Sequence, residues 1–200
     1  MALSLVTAPA NEPITLADAK LHLRVENIDE DALIESLIAG AREAAEAFTR
    51  RALVTQTWDL KLDGFPAYIE VPLPPLVSVT SLAYVDSNGA TQTMTVTTDY
   101  LVDAPAGPYA APGRVTLPFG RIWPIPIQQA NAVALRFVAG YGDPGDVPEG
   151  IKAAIKLTVG HLYANRENVV ITDRGSIVQK MPQGAEFLLW PYRDYRFGGD

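Results

Sequence analysis

Between residues 31 and 48 the apolar positions recur every three or four residues: Leu33, Ile34, Leu37, Ile38, Ala41, Ala45 and Phe48. That spacing puts them on one stripe of a helix, predicted over about 30–51. Asp29, Glu30 and Asp31 stand at its positive end, where carboxylates are favoured. A shorter helix over 15–23 opens on Thr15 with Asp18 three residues on, an N-cap pair, and carries Leu16, Ala19 and Leu23. A third is predicted over 148–165. Pro148 fits its first position, Glu149 its first turn, and Ile151, Ala154, Ile155, Thr158, Val159 and Leu162 form its stripe. The alanines of the long helix let another helix approach closely, and the third is expected to pack there.

Between these helices the period changes to two. QTWDLKL at 56–62 alternates Trp58, Leu60 and Leu62 with Thr57, Asp59 and Lys61, the pattern of a half-buried strand. Further short strands are predicted at 68–71, 77–85, 91–96, 100–104, 114–118 and 132–140. Turn residues separate them: Asp63-Gly64, the Pro72, Pro74 and Pro75 cluster, and Asn88-Gly89. Their spacing predicts an antiparallel region over about 55–140. Residues 166–184 show no sustained period beyond the short apolar runs VVI and SIV, with Asp173-Arg174-Gly175 as a loop tip. The stretch reads as extended chain leading to AEFLLWPYRDYRF at 185–197, where five of the chain's seventeen aromatics gather.

The fold class is therefore α+β: a small helical core, an inserted antiparallel β region and an extended C-terminal tail. By segment, 1–53 and 148–165 form the helical core, 54–147 the β subdomain and 166–200 the tail. Composition narrows the function. Two hundred residues at 48% hydrophobic suffice for one well-buried domain with an inserted subdomain. No apolar run approaches the roughly 20 residues that span a bilayer, and the N-terminus lacks the basic start and apolar stretch of a signal peptide. With no cysteine there are no disulfides, thiolate nucleophiles or Cys-type zinc sites. The expectation is a soluble protein made in the cytoplasm. The net charge of −7 is concentrated in residues 1–147, with 17 acids against 9 bases, while 148–200 has 6 against 7. An acidic body without a basic run argues against gripping nucleic-acid phosphates.

The search for catalytic chemistry finds no candidate. His22 and His161 lie on different predicted helices without paired-ligand spacing, which favours packing or surface roles. Glu26, Asp29, Glu30 and Asp31 could hold a metal or cap a helix. They lack the glycine and spacing of a calcium loop, which favours capping. AGYGDPG at 139–145 is glycine-rich but carries neither a lysine nor a GxGxxG pattern. No serine sits in a GxSxG elbow. No catalytic residue, metal ligand or cofactor is assigned, although folding can bring distant carboxylates together.

The order and spacing of several segments carry a resemblance. LADAKLHLRV, DEDALIESLIAGAREAAEAFTRRAL, QTWDLKLDGFP, VPLPPLVSVTSLAYVDSNGATQT, AGYG, VPEGIKAAIKLTVGHLYANRE and LLWPYRDYR together resemble the head–tail connector (adaptor, or head-completion) proteins of tailed phages, prophages and gene transfer agents. The likeness spans nearly the whole chain, each motif being weak alone. One departure is Arg50, where relatives often place glycine after the first long helix. The resemblance implies a structural protein of the virion neck. It would form a ring, typically of twelve, beneath the portal protein, extend the DNA channel without binding DNA specifically, and meet the next neck or tail component.

The resemblance also gives the aromatic tail a role. In related connectors the C-terminal segment docks on the portal, and Leu188, Leu189, Trp190, Pro191, Tyr192, Arg193, Tyr195 and Arg196 match it here. Aromatic and arginine side chains are enriched at interface hot spots. The competing expectation is that Leu189 and Trp190 fold onto the subunit's own core. Two other function classes stand beside the connector: a β-rich binding module for carbohydrate or peptide, and a neck-associated enzyme.

Overall fold

The computed structural model describes residues 1–165, 169–172, 175–178 and 182–195. The chain divides into two compact units. One comprises Met1–Ala10, Arg50–Asp143 and Asp194–Asp200, the other Asn11–Thr49 and Pro144–Arg193.

The first unit is built from sheets. Strands β1 (Ala2–Thr7), β2 (Gln56–Leu62), β4 (Leu76–Val85), β5 (Thr91–Met94) and β8 (Val133–Ala139) make a five-stranded antiparallel sheet in the order β1-β2-β8-β4-β5. Strands β3 (Ile69–Val71), β6 (Leu101–Asp103) and β7 (Gly113–Thr116) make a second, ordered β3-β7-β6. In the central strand β8 the alternation is complete: Val133, Leu135, Phe137 and Ala139 are buried and Arg136 is exposed. Those four pack with Leu60, Ile69, Val71, Leu82, Tyr100 and Val115 in one apolar core shared by both sheets. On the opposite face, Arg136 stands directly across from Asp59 and donates two hydrogen bonds to its carboxylate, at 2.8 and 2.9 Å.

The glycines of AGYGDPG have a backbone explanation. Gly140 has φ 126°, and a Cβ there would lie 2.6 Å from the Val54 carbonyl oxygen. The strand end is laced to the 53–55 segment by Tyr141 N–H to Leu53 O at 3.0 Å and Thr55 N–H to Gly142 O at 3.1 Å. Close approach of two backbones, rather than phosphate, accounts for that glycine.

The second unit is mainly helical: α1 (Leu16–Leu23), α2 (Asp31–Thr49), α3 (Glu149–Ala164) and α4 (Gln183–Leu189), with a hairpin of β9 (Val169–Thr172) and β10 (Gly175–Val178). Thr15 and Asp18 form a reciprocal capping box at the start of α1. The apolar stripes meet as expected, with Ile34, Ile38, Ala41 and Ala45 of α2 and Ile151, Ala154, Ile155 and Val159 of α3 all buried. Pro148 is the N-cap of α3, one position earlier than the first helical turn expected for it. Arg50, immediately after α2, has φ 58°. That left-handed conformation is why glycine suits the position.

The acidic cluster at the start of α2 is engaged in ordinary packing. Asp31 pairs with Lys20 at 2.6 Å, and Glu30 accepts a hydrogen bond from the Tyr163 hydroxyl. Arg42, nearly buried, is held by Glu12 at 2.8 Å and Glu46 at 2.6 Å. These carboxylates hold its guanidinium above its usual pKa against the opposing cost of burial.

One expectation needs correction. Residues 183–192 are not extended chain: α4 is followed by a 3-10 turn over Trp190–Tyr192. Pro182 caps the entry, and Ala185 and Leu189, four residues apart, bury one face against the helical unit. So short a helix draws its stability from that burial rather than from propensity.

Candidate partner-docking surface

The helical form of 183–192 sorts the tail residues into two sets. Leu189 is 1% exposed and belongs to the subunit's own core, so it is withdrawn from the docking residues implied by the resemblance. Phe187, two positions earlier and on the other side of the helix, is 77% exposed. Trp190 is 56% exposed, Pro191 is exposed, and Leu188 and Tyr192 are half-buried. Tyr195 is exposed, and Arg196 lies outside the described residues.

Trp190 is not loosely attached. Its ring lies 6.4 Å from that of Phe48 on α2, centroid to centroid, at an interplanar angle of 51°. The Arg193 guanidinium sits 5.1 Å from the Phe48 centroid and 5.9 Å from that of Trp190. Both distances are within the range of cation–π attraction. An aromatic pair and a guanidinium thus fix the chain leaving α4 on the end of α2, leaving much of the indole in solvent. Across the turn, Tyr192 lies over Gly150 of α3, where a Cβ would meet its hydroxyl oxygen at 3.0 Å. Gly150, Trp190 and Tyr192, together with Gln183, Glu186 and Phe187, line an open, mostly apolar groove of about 540 Å³.

Sequence reasoning missed four contributors: Gly150, Gln183, Glu186 and Phe187. Phe187 was passed over because its exposure depends on a helix that had not been predicted. Gly150 and Gln183 belong to the groove only through the packing of α4 against α3. The one available signal was the four-residue spacing of Ala185 and Leu189, which marks a buried helix face.

Among the described residues no group of three or more His, Asp or Glu side chains is placed to hold a metal ion, and no helix is long and apolar enough to cross a membrane. His22 packs toward Gly160 of α3, whose notional Cβ would be 3.4 Å from its Nε2. The surface has the makings of a protein-binding site: rigid aromatics, a shallow apolar groove and a guanidinium held in place.

Residues 13–98, from the start of α1 to just beyond β5, match the family model of phage gp6-like head–tail connector proteins. Over that stretch the chain is similar to the head–tail connector family. Three solved structures share the fold of this chain. A chain from the virion of a native gene transfer agent particle is 24% identical, with a TM-score of 0.78. One from the neck of the empty particle, computed with C6 symmetry, is 25% identical, also at 0.78. One from the neck of the native particle, computed with C12 symmetry, is 24% identical at 0.77. Each match covers 100% of this chain and 99% of the other. None of the curated proteins matches the sequence.

Proposed function

We propose that this chain is a head–tail connector, a structural part of the neck of a phage-like particle, where copies form a ring that joins the DNA-filled head to the tail and extends the DNA channel. The observation that carries the reading is the fold match over the full length of chains from particle necks, together with the family match. The ring has twelve copies, its head-side partner is the portal protein, and its other face meets the next neck or tail component. The net charge of −7 suits a conduit through which DNA slides without sticking.

The portal is met by the exposed side of the C-terminal segment: Phe187, Leu188, Trp190, Pro191, Tyr192, Arg193 and Tyr195, with Arg196 beyond. Leu189 anchors that segment from within. Rigid aromatics already held in place lose little freedom on docking, which favours their use as anchors.

Electron microscopy of the purified protein mixed with its portal tests the assembly, the expected image being a ring stacked on the portal. In a portal pull-down, Trp190→Ala should weaken capture by about 2 kcal/mol, roughly thirtyfold. Because the covered half of the indole packs on Phe48 and Arg193, a thermal melt of the variant accompanies the pull-down, and the expected loss of capture exceeds the loss of stability. Undiminished capture would remove Trp190 from the interface.

A further inference from the structure

We infer that neighbouring copies in the ring join through the sheet unit, with the 119–125 loop of one copy seated on the β1 edge of the next. The inference rests on the ring reading above and adds the contact that closes it.

The loop between β7 and β8 is a display of apolar side chains. Phe119 is fully exposed, Ile122 is 88% exposed and Ile125 is 87% exposed. It is nevertheless pinned. Trp123 stacks on Phe65 at 4.7 Å with the rings 4° from parallel, and its indole N–H donates to the Ala67 carbonyl at 3.4 Å. Farther on, Ile127 N–H donates to the Val85 carbonyl at the end of β4, at 2.8 Å. A held loop that shows three large apolar side chains to solvent marks a contact surface. It lies beside β4 and β5, whose Tyr84, Gln92 and Met94 line a groove of about 440 Å³ with Arg121 and Trp123. The loop therefore sits toward the β5 edge of the five-stranded sheet.

The opposite edge is β1, roughly 19 Å away across four strand spacings. Its sequence, ALSLVT, has no charge and no proline, the usual guards of an edge strand, and every residue is exposed; a bulge at Val6 is its one protection. Leu3 and Leu5 stand across from Leu60 and Trp58, so they continue the core face of the sheet beyond its covered part. The unit thus carries an uncovered apolar ledge on one side and projecting apolar side chains on the other. Two different patches on opposite edges are what a head-to-tail contact needs. A repeated rotation then closes such contacts into a ring, whereas a self-complementary patch would stop at a dimer. A second copy of this chain is the occupant that fits both patches at once.

The chain has no cysteine, so engineered disulfides report the contact cleanly. Two double variants, Leu5→Cys with Ile122→Cys and Leu3→Cys with Ile125→Cys, would be oxidised mildly under ring-forming conditions, with native mass spectrometry of the same samples. The expected result is a ladder of disulfide-linked multimers from at least one pair, and monomers from each single variant. Phe119→Ser, Ile122→Ser and Ile125→Ser combined should raise the concentration needed for rings at least tenfold while leaving the melting temperature unchanged. Rings without a ladder from either pair, or dimers from Ile122→Cys alone, would overturn this contact and leave the ring reading standing. No ring at any concentration or on the portal would overturn both.

Discussion

Arg50 shows how one backbone angle can carry information that side chains do not. With φ at 58°, it occupies a conformation costing a residue with a Cβ about 1–2 kcal/mol, and glycine nothing comparable. Glycine loses part of that advantage through its freer unfolded chain. Arg50→Gly should therefore raise stability by up to about 1 kcal/mol, measured as a shift in the denaturant midpoint at unchanged slope. Gly140 is the converse, because a methyl group there would press on the Val54 carbonyl carbon and oxygen at once. Both positions lie where the chain passes between regular elements, and in the sequence one looks like an ordinary arginine and the other like a candidate phosphate loop.

Helix α4 is the element that most changes the functional reading. Removing everything after Gly184 would take Ala185 and Leu189 out of the core as well as removing the exposed aromatics. Truncation alone cannot then separate folding from docking, but point variants can. Leu189→Ala should cost about 2–5 kcal/mol of stability, the range for a large buried aliphatic side chain cut to alanine. A thermal melt of that variant matching the parent's would return Leu189 to the surface. The elements legible in the sequence were those with long, regular patterns: the stripes of α1, α2 and α3, and the seven strands from Gln56 to Ala139. Those missed were short or lacked a pattern of their own. β1 is exposed on both faces, so no alternation marks it, and α4 has only seven residues, with Ala185 and Leu189 as its whole buried face. The aromatic tail was found as a composition, but its division into anchor and exposed face required the helix.

For the molecule as a whole, the acid limit of stability follows from a few carboxylates. Hydrogen bonds from Arg136 hold Asp59 below its usual pKa, and those from Thr15 do the same for Asp18. A carboxyl whose pKa is depressed by folding stabilises the native state above its unfolded value and loses that contribution as pH falls through the folded one. Stability should therefore be level near neutrality and decline below about pH 4. Asp59→Asn should flatten the decline, seen in denaturant midpoints between pH 5 and 2.5. An equally steep decline would assign the acid limit to other groups. The same reasoning leaves Arg42 charged throughout.

The seating of Trp190 also makes the protein its own optical probe. The chain has three tryptophans, and Trp58 and Trp123 both lie in the sheet unit, partly covered. Replacing those two with phenylalanine would leave Trp190 as the lone emitter, its indole beside the Arg193 guanidinium and half in water. Its emission would begin at the red, hydrated end of the tryptophan range. Any partner that covers the indole would shift the spectrum to the blue, so occupancy of this surface can be followed in a cuvette without attaching a dye.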